Sequence, residues 1–132
     1  MKIITVPYGK IIVLQEQIAE VIINRGVVMD EEMIGHYHDL LRSKLKAPFY
    51  LIINKKNAYT YNFLAQRNLA TIKEIAAMAV VAYNQTTSMA TDMLDKLPRK
   101  EAWNLRIFSD REEALQWILY EQEKNNNLNP NK

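Results

Sequence analysis

The chain contains no cysteine. Disulfide frameworks, zinc ribbons and thiol nucleophiles are therefore excluded, and a reducing, cytoplasmic setting is expected. Glycine is scarce: three residues in 132, Gly9, Gly26 and Gly35, stand apart from one another. Neither a P-loop nor a dinucleotide-binding fingerprint can be assembled from them. The two histidines, His36 and His38, lie two apart on an expected helix. That spacing points them about 200° apart around the axis, so they cannot converge on one metal. None of the three serines, Ser43, Ser88 and Ser109, sits in a Gly-x-Ser-x-Gly elbow. The acidic pairs Glu31/Glu32 and Glu112/Glu113 fall in first helical turns, where the helix dipole accounts for them. No catalytic residue, metal or cofactor is expected, and the chain reads as non-enzymatic.

Charge of one sign and long apolar runs are missing too. Lys and Arg number 17 against 15 Asp and Glu, a net charge of +2 with the signs interspersed. No basic patch marks a nucleic-acid partner. No stretch approaches the roughly 18 uninterrupted apolar residues of a membrane span. The apolar start is cut at Pro7, too short for a signal-peptide core. With 48% hydrophobic residues the chain can nevertheless bury enough surface to offset its ordering entropy. A folded, cytoplasmic domain over residues 1–123 is expected, followed by an Asn-rich flexible tail over 124–132.

Residues 3–6, 10–14 and 18–24 are β-branched and apolar, and turn signals at Pro7-Tyr8-Gly9 and Arg25-Gly26 set off the runs. Asp30-Glu31-Glu32 opens a helix in which Ile34, Tyr37, Leu41 and Leu45 form one stripe and Pro48 prevents continuation. Residues 49–54 (Phe-Tyr-Leu-Ile-Ile-Asn) form a continuous apolar run, the pattern of a strand covered on both faces. A loop over 55–61 and a short helix over 62–70 follow. The run 75–83 is unbroken in its apolarity and reads as a second buried strand. A helix is expected over 87–97 with Met89, Ala90, Met93, Leu94 and Leu97 as its apolar stripe, ended by Pro98. A short strand at 105–108 leads into a capping box with Ser109 as N-cap and Glu112 three residues on. Ala114, Leu115, Ile118 and Leu119 form the apolar face of the last helix.

The expected architecture is a single-domain α/β layer. Antiparallel strands come first, then parallel core strands starting near 18, 49, 76 and 105, joined by right-handed crossovers. In such sheets the crevice at the strand carboxyl ends is the preferred binding place. The loop after the 49–54 strand brings Lys55, Asn57, Tyr59, Thr60 and Tyr61 to that edge, just before a helix N-terminus. Tyr83 and Asn84 occupy the equivalent edge after the next strand and are expected to line the same crevice. Helix capping by Thr60 or Asn62, and by Thr86 or Thr87, is the structural alternative at these two edges.

The run Ala79-Val80-Val81-Ala82-Tyr83-Asn84, the Met-containing helix, and Leu105-Arg106-Ile107-Phe108-Ser109-Asp110-Arg111-Glu112-Glu113-Ala114-Leu115-Gln116-Trp117-Ile118 together resemble small bacterial proteins of the SpoIIAA-like (STAS) superfamily. The helix entry Val27-Val28-Met29-Asp30-Glu31-Glu32 is similar as well, and the likeness spans residues 10 to 120. It implies a β/α superhelical layer and a role in binding a partner protein. It further implies a switch by phosphorylation at the start of the helix after the second core strand, where Thr60 is the matching candidate phosphoacceptor. The family's acidic residue beside a serine is absent here, the local sequence being Ala58-Tyr59-Thr60-Tyr61. Related folds of the lipid-transfer type hold apolar ligands, so a small-molecule or lipid site is the alternative expectation. Its mark would be an apolar cavity lined from the 49–54 strand and the Met-containing helix. Homodimerisation fits a small domain with an uncovered sheet face.

Overall fold

The computed structural model describes residues 1–97 and 103–128. Tight turns after Val6 and Gln15 fold the first three apolar runs into a meander of β1 (Lys2–Val6), β2 (Gly9–Gln15) and β3 (Ile18–Ile23). Both pairings are antiparallel, with Val6 opposite Gly9 and Gly9 opposite Ile23. Gly9 is required there: a Cβ on it would lie 2.2 Å from the Ile22 carbonyl oxygen. After β3 the chain makes a two-residue strand β4 (Val28–Met29) and then α1 (Glu31–Lys44). Asp30 caps α1, its side chain accepting from the Met33 N–H at 2.9 Å.

From α1 onward strands and helices alternate. β5 (Phe49–Asn54) is followed by β6 (Thr60–Tyr61), α2 (Phe63–Asn68), β7 (Ile75–Val81), α3 (Gln85–Asp95), β8 (Leu105–Phe108) and α4 (Arg111–Leu128). The main sheet has six strands in the order β1-β2-β3-β5-β7-β8, and β3, β5, β7 and β8 run parallel. The mixed α/β sheet with its antiparallel start is thus as expected from the sequence. β4 and β6 form a separate parallel pair that the sequence pattern did not reveal.

Side-chain alternation divides the core between the two sheet faces. Ala19, Val21, Phe49, Leu51 and Met78 face one side, where Ile34, Tyr37 and Leu41 of α1 and Ala65 of α2 cover them. Tyr50, Ile52, Ala77, Ala79 and Val81 face the other, against Ala114 and Ile118 of α4. The alanines of the long apolar run have a purpose here, since small side chains let α4 settle closely on β7.

Three local expectations are corrected. The cap of α4 is Asp110, whose carboxylate accepts from the Glu113 N–H at 3.1 Å, one residue beyond Ser109. In α3 the cap is Asn84, accepting from the Thr87 N–H at 2.8 Å, so the helix begins before Thr86 and Thr87. α4 runs on to Leu128, past the boundary at 123. Asn125 donates to the Tyr50 hydroxyl at 2.8 Å, and Lys124 pairs with Glu121 at 2.9 Å. The stop at Pro98 and the tail beyond Leu128 lie outside the described residues.

Candidate functional site

The loop from β5 to α2 is zipped onto the β3–α1 connection by main-chain bonds: Gly26 N–H to Ala58 O, Thr60 N–H to Val27 O and Asn62 N–H to Met29 O, at 2.8 to 3.0 Å. Being extended, it alternates its side chains. Tyr59 and Tyr61 turn inward and Thr60 stays exposed. The Tyr59 and Tyr61 hydroxyls bond each other at 3.0 Å with their rings edge to face. Burial raises both hydroxyls above the ordinary phenol range, Tyr61 to about 12. Lys55 leaves the end of β5 on the same side. Its Nζ donates to Thr91 Oγ1 at 2.8 Å and lies 5.8 and 5.9 Å from the Tyr59 and Tyr61 ring centroids. Among the described residues no carboxylate pairs with it. Burial alone pushes the ammonium down to about 8.

Lys55, Tyr59 and Tyr61 stand between two spaces. Inward is a small cavity of about 40 Å³ beneath the carboxyl ends of the parallel strands, lined by Val21, Ile23, Ile53, Met78, Val80 and Leu105 on the sheet side and capped by Tyr37, Thr91, Leu94 and Trp103. Outward is an open groove of about 320 Å³ bounded by Thr60, Gln66, Ala90, Met93, Leu94 and Leu97. Both elements named in the mark for a ligand site reach the cavity. The 49–54 strand contributes Ile53 and the Met-containing helix α3 contributes Thr91 and Leu94, whereas Met89 and Met93 do not line it.

That follows from the orientation of α3. Three residues of its apolar stripe face outward, Met89 at 59% exposure, Met93 at 70% and Ala90 exposed too, while Leu94 turns to the cavity. The only buried residue of α3 is Thr91, whose hydroxyl donates to the Thr87 carbonyl at 2.9 Å and accepts from Lys55. Phe63 and Leu64 at the start of α2 are 70% and 50% exposed.

The remaining candidates are dispersed. Asn57 donates to the Ile23 carbonyl at 3.0 Å and so fastens the loop to β3. Thr60 belongs to β6 and not to the cap of α2, which is Asn62, accepting from the Ala65 N–H at 2.8 Å. Tyr83 and Asn84 do not join Lys55. They border a separate open groove with Ser88, Phe108 and Ser109. The Tyr83 hydroxyl donates to Asn54 Oδ1 at 2.9 Å, and Asn54 Nδ2 donates to Glu20 at 2.8 Å. Arg111 completes this chain with Nη2 2.6 Å from Glu20 Oε1. Burial alone would raise the Glu20 carboxyl, but the bonds from Arg111 and Asn54 and the Arg111 charge outweigh it and hold it low. Sequence reading missed this network, since its members are up to 91 positions apart.

The histidines diverge as expected from their spacing. His36 Nδ1 meets the Tyr8 hydroxyl at 2.9 Å, and buried His38 accepts the Ala70 N–H at 3.2 Å. Among the described residues no three His, Asp or Glu side chains gather as a metal site. No helix among them is long and apolar enough to cross a membrane.

Fold and site together define a mixed α/β domain with a donor-lined cleft at the strand carboxyl ends. Comparison with known proteins finds no matching family model, no matching curated protein and no matching solved structure.

Proposed function

We propose that this protein is a non-enzymatic, cytoplasmic interaction module of SpoIIAA-like (STAS) type. It holds an apolar segment of a partner protein in the groove between α3 and the 55–61 loop, and phosphorylation of Thr60 releases it. The observation that carries this reading is the outward stripe of α3. A helix normally turns its apolar residues to the core. Here Met89, Ala90 and Met93 face solvent while a threonine is buried. Unpaired methionines are adaptable contact surfaces, and apolar groups gathered at a groove mark an interaction site. Thr60 stands exposed on the rim of that groove. A phosphate there would place about two negative charges beside an apolar contact and oppose it. The succession of four strand–helix units, from β3 to α4, is in keeping with the β/α layer of that superfamily.

The test is site-specific photo-crosslinking in the host cell, with the photoreactive residue at position 93 and, as control, at exposed position 113 on α4. A partner captured from 93 alone, and lost in Thr60→Asp, supports the module and its switch. A cross-link to a second copy of this chain makes the groove a dimer interface. Capture equal from both positions removes the groove as the binding surface, and capture unchanged by Thr60→Asp removes the switch.

A further inference from the structure

The cavity beneath α3 has a chemistry of its own, independent of the outward stripe. Tyr37 is 4% exposed and lines the cavity, and its hydroxyl has no hydrogen-bond partner among the described residues. A buried hydroxyl left unsatisfied forfeits its bonds to water without replacement, so such groups are rare and call for a partner. The Tyr59–Tyr61 pair shares a single bond, which leaves one of the two O–H groups without an acceptor among the described residues. Lys55 commits one of its three ammonium hydrogens to Thr91. Every unspent hydrogen at this point is a donor, and one positive charge stands there with no negative one. Apart from Trp103 and from Thr91, whose hydroxyl donates to the Thr87 carbonyl, the rest of the wall is aliphatic or methionine.

A water molecule needs roughly 10–15 Å³ of such space. The cavity of about 40 Å³ exceeds that, and it shares Lys55, Tyr59, Tyr61 and Leu94 with the groove of about 320 Å³ outside. Water would satisfy Tyr37 but would leave the ammonium uncompensated. A group with two acceptor oxygens and one negative charge meets all of these donors together. A short hydrocarbon chain attached to it matches the aliphatic wall.

We propose that the cavity and its mouth bind a small aliphatic monocarboxylate. The carboxylate oxygens accept from Lys55 Nζ and the tyrosine hydroxyls, and the chain lies along Val21, Ile23, Met78 and Val80. Lys55 supplies the preference for the anion, since a hydrogen bond from a charged donor is stronger than one from a neutral donor. Tyr37, on the wall of the same cavity, supplies a further donor.

The methionines make the site readable. Met29 and Met78 line the cavity or cap it, whereas Met89 and Met93 are outside it. With methyl-¹³C methionine, hexanoate is titrated into the protein against its neutral isostere hexanamide, and the methyl shifts are followed. Saturable shifts at Met29 and Met78, with hexanamide at least about tenfold weaker, are expected. Lys55→Met keeps the length of the side chain while removing an unpaired buried cation, and brings hexanoate down to the level of hexanamide. Tyr37→Phe weakens hexanoate without abolishing the preference. If Lys55→Met does not fold, the comparison of the two probes on the unaltered protein decides alone. Equal binding of acid and amide overturns the proposal. So does movement of Met89 and Met93 alone, or no movement of Met29 and Met78 at millimolar hexanoate, which leaves a cavity for water only. None of these outcomes bears on partner capture at position 93.

Discussion

His38 makes the stability of this protein depend on pH in a window that its carboxylates do not share. The ring is buried on the inner side of α1, and its Nε2 accepts the Ala70 N–H at 3.2 Å. A nitrogen that accepts a hydrogen bond carries no proton. Burial pushes the imidazole down to about 4, and the Arg42 charge adds to this while Asp39 and Glu74 oppose it. In the unfolded chain the same ring titrates near 6.5. Below that pH the unfolded state takes up a proton that the folded state refuses, so stability falls as pH falls. The loss levels off once the folded ring also protonates, near pH 4. At about 1.4 kcal/mol per pH unit the full effect is about 3 kcal/mol, of which about 2 kcal/mol is already lost by pH 5. The low-lying carboxyls Glu20 and Glu74 lose their contribution only as pH drops below the ordinary carboxylate range. Urea denaturation between pH 7.5 and 5.0 therefore isolates the imidazole. His38→Gln supplies an acceptor oxygen toward Ala70 that does not titrate in this range. The variant should hold its stability from pH 7.5 to 5.0 while the parent loses about 2 kcal/mol relative to it. Parallel curves for the two proteins would refute the assignment of a neutral, accepting ring.

Further expectations concern the scaffold. Gly9→Ala drives a methyl into the Ile22 carbonyl, 2.2 Å away, and should cost on the order of 3 kcal/mol. Gly35→Ala, on the exposed side of α1 with nothing within 4 Å, should stabilise by about 1 kcal/mol. The two alanine variants should move the thermal midpoint in opposite directions, and a shared direction would contradict the reading. Arg111→Met strands the buried Glu20 carboxylate and should cost about 3 kcal/mol at pH 7 by urea denaturation. A cost below about 1 kcal/mol would mean that Asn54 alone satisfies Glu20. Removing the same pairing also removes the largest of the causes that hold Glu20 low, so the Glu20 carboxyl should protonate at higher pH in the variant than in the parent.

Elements built by local forces were legible. Asp30 caps α1 as expected and Asn62, one of two candidates, caps α2, because their short side chains reach an N–H three residues on. The runs at 49–54 and 105–108 coincide with β5 and β8. Where two local solutions were nearly equivalent the choice went astray, as with Ser109 beside Asp110. The small pair of β4 and β6 went unseen, since two residues carry no period. The Met89–Met93 stripe has a helical period, and period alone says that a helix has two unlike faces.

The amino-acid order by itself therefore determined the succession of strands and helices, the antiparallel start and the parallel core. Those follow from turn chemistry, capping and apolar runs, all of which act within a few residues. Only the tertiary structure decided which face of α3 turns inward, that Lys55 ends beside Tyr59, Tyr61 and Thr91 and not beside Tyr83, and that Glu20 meets Arg111. Each of these depends on the order of strands in the sheet and on which face receives each helix. Those choices are settled by burial summed over the whole chain, which no short stretch of sequence contains.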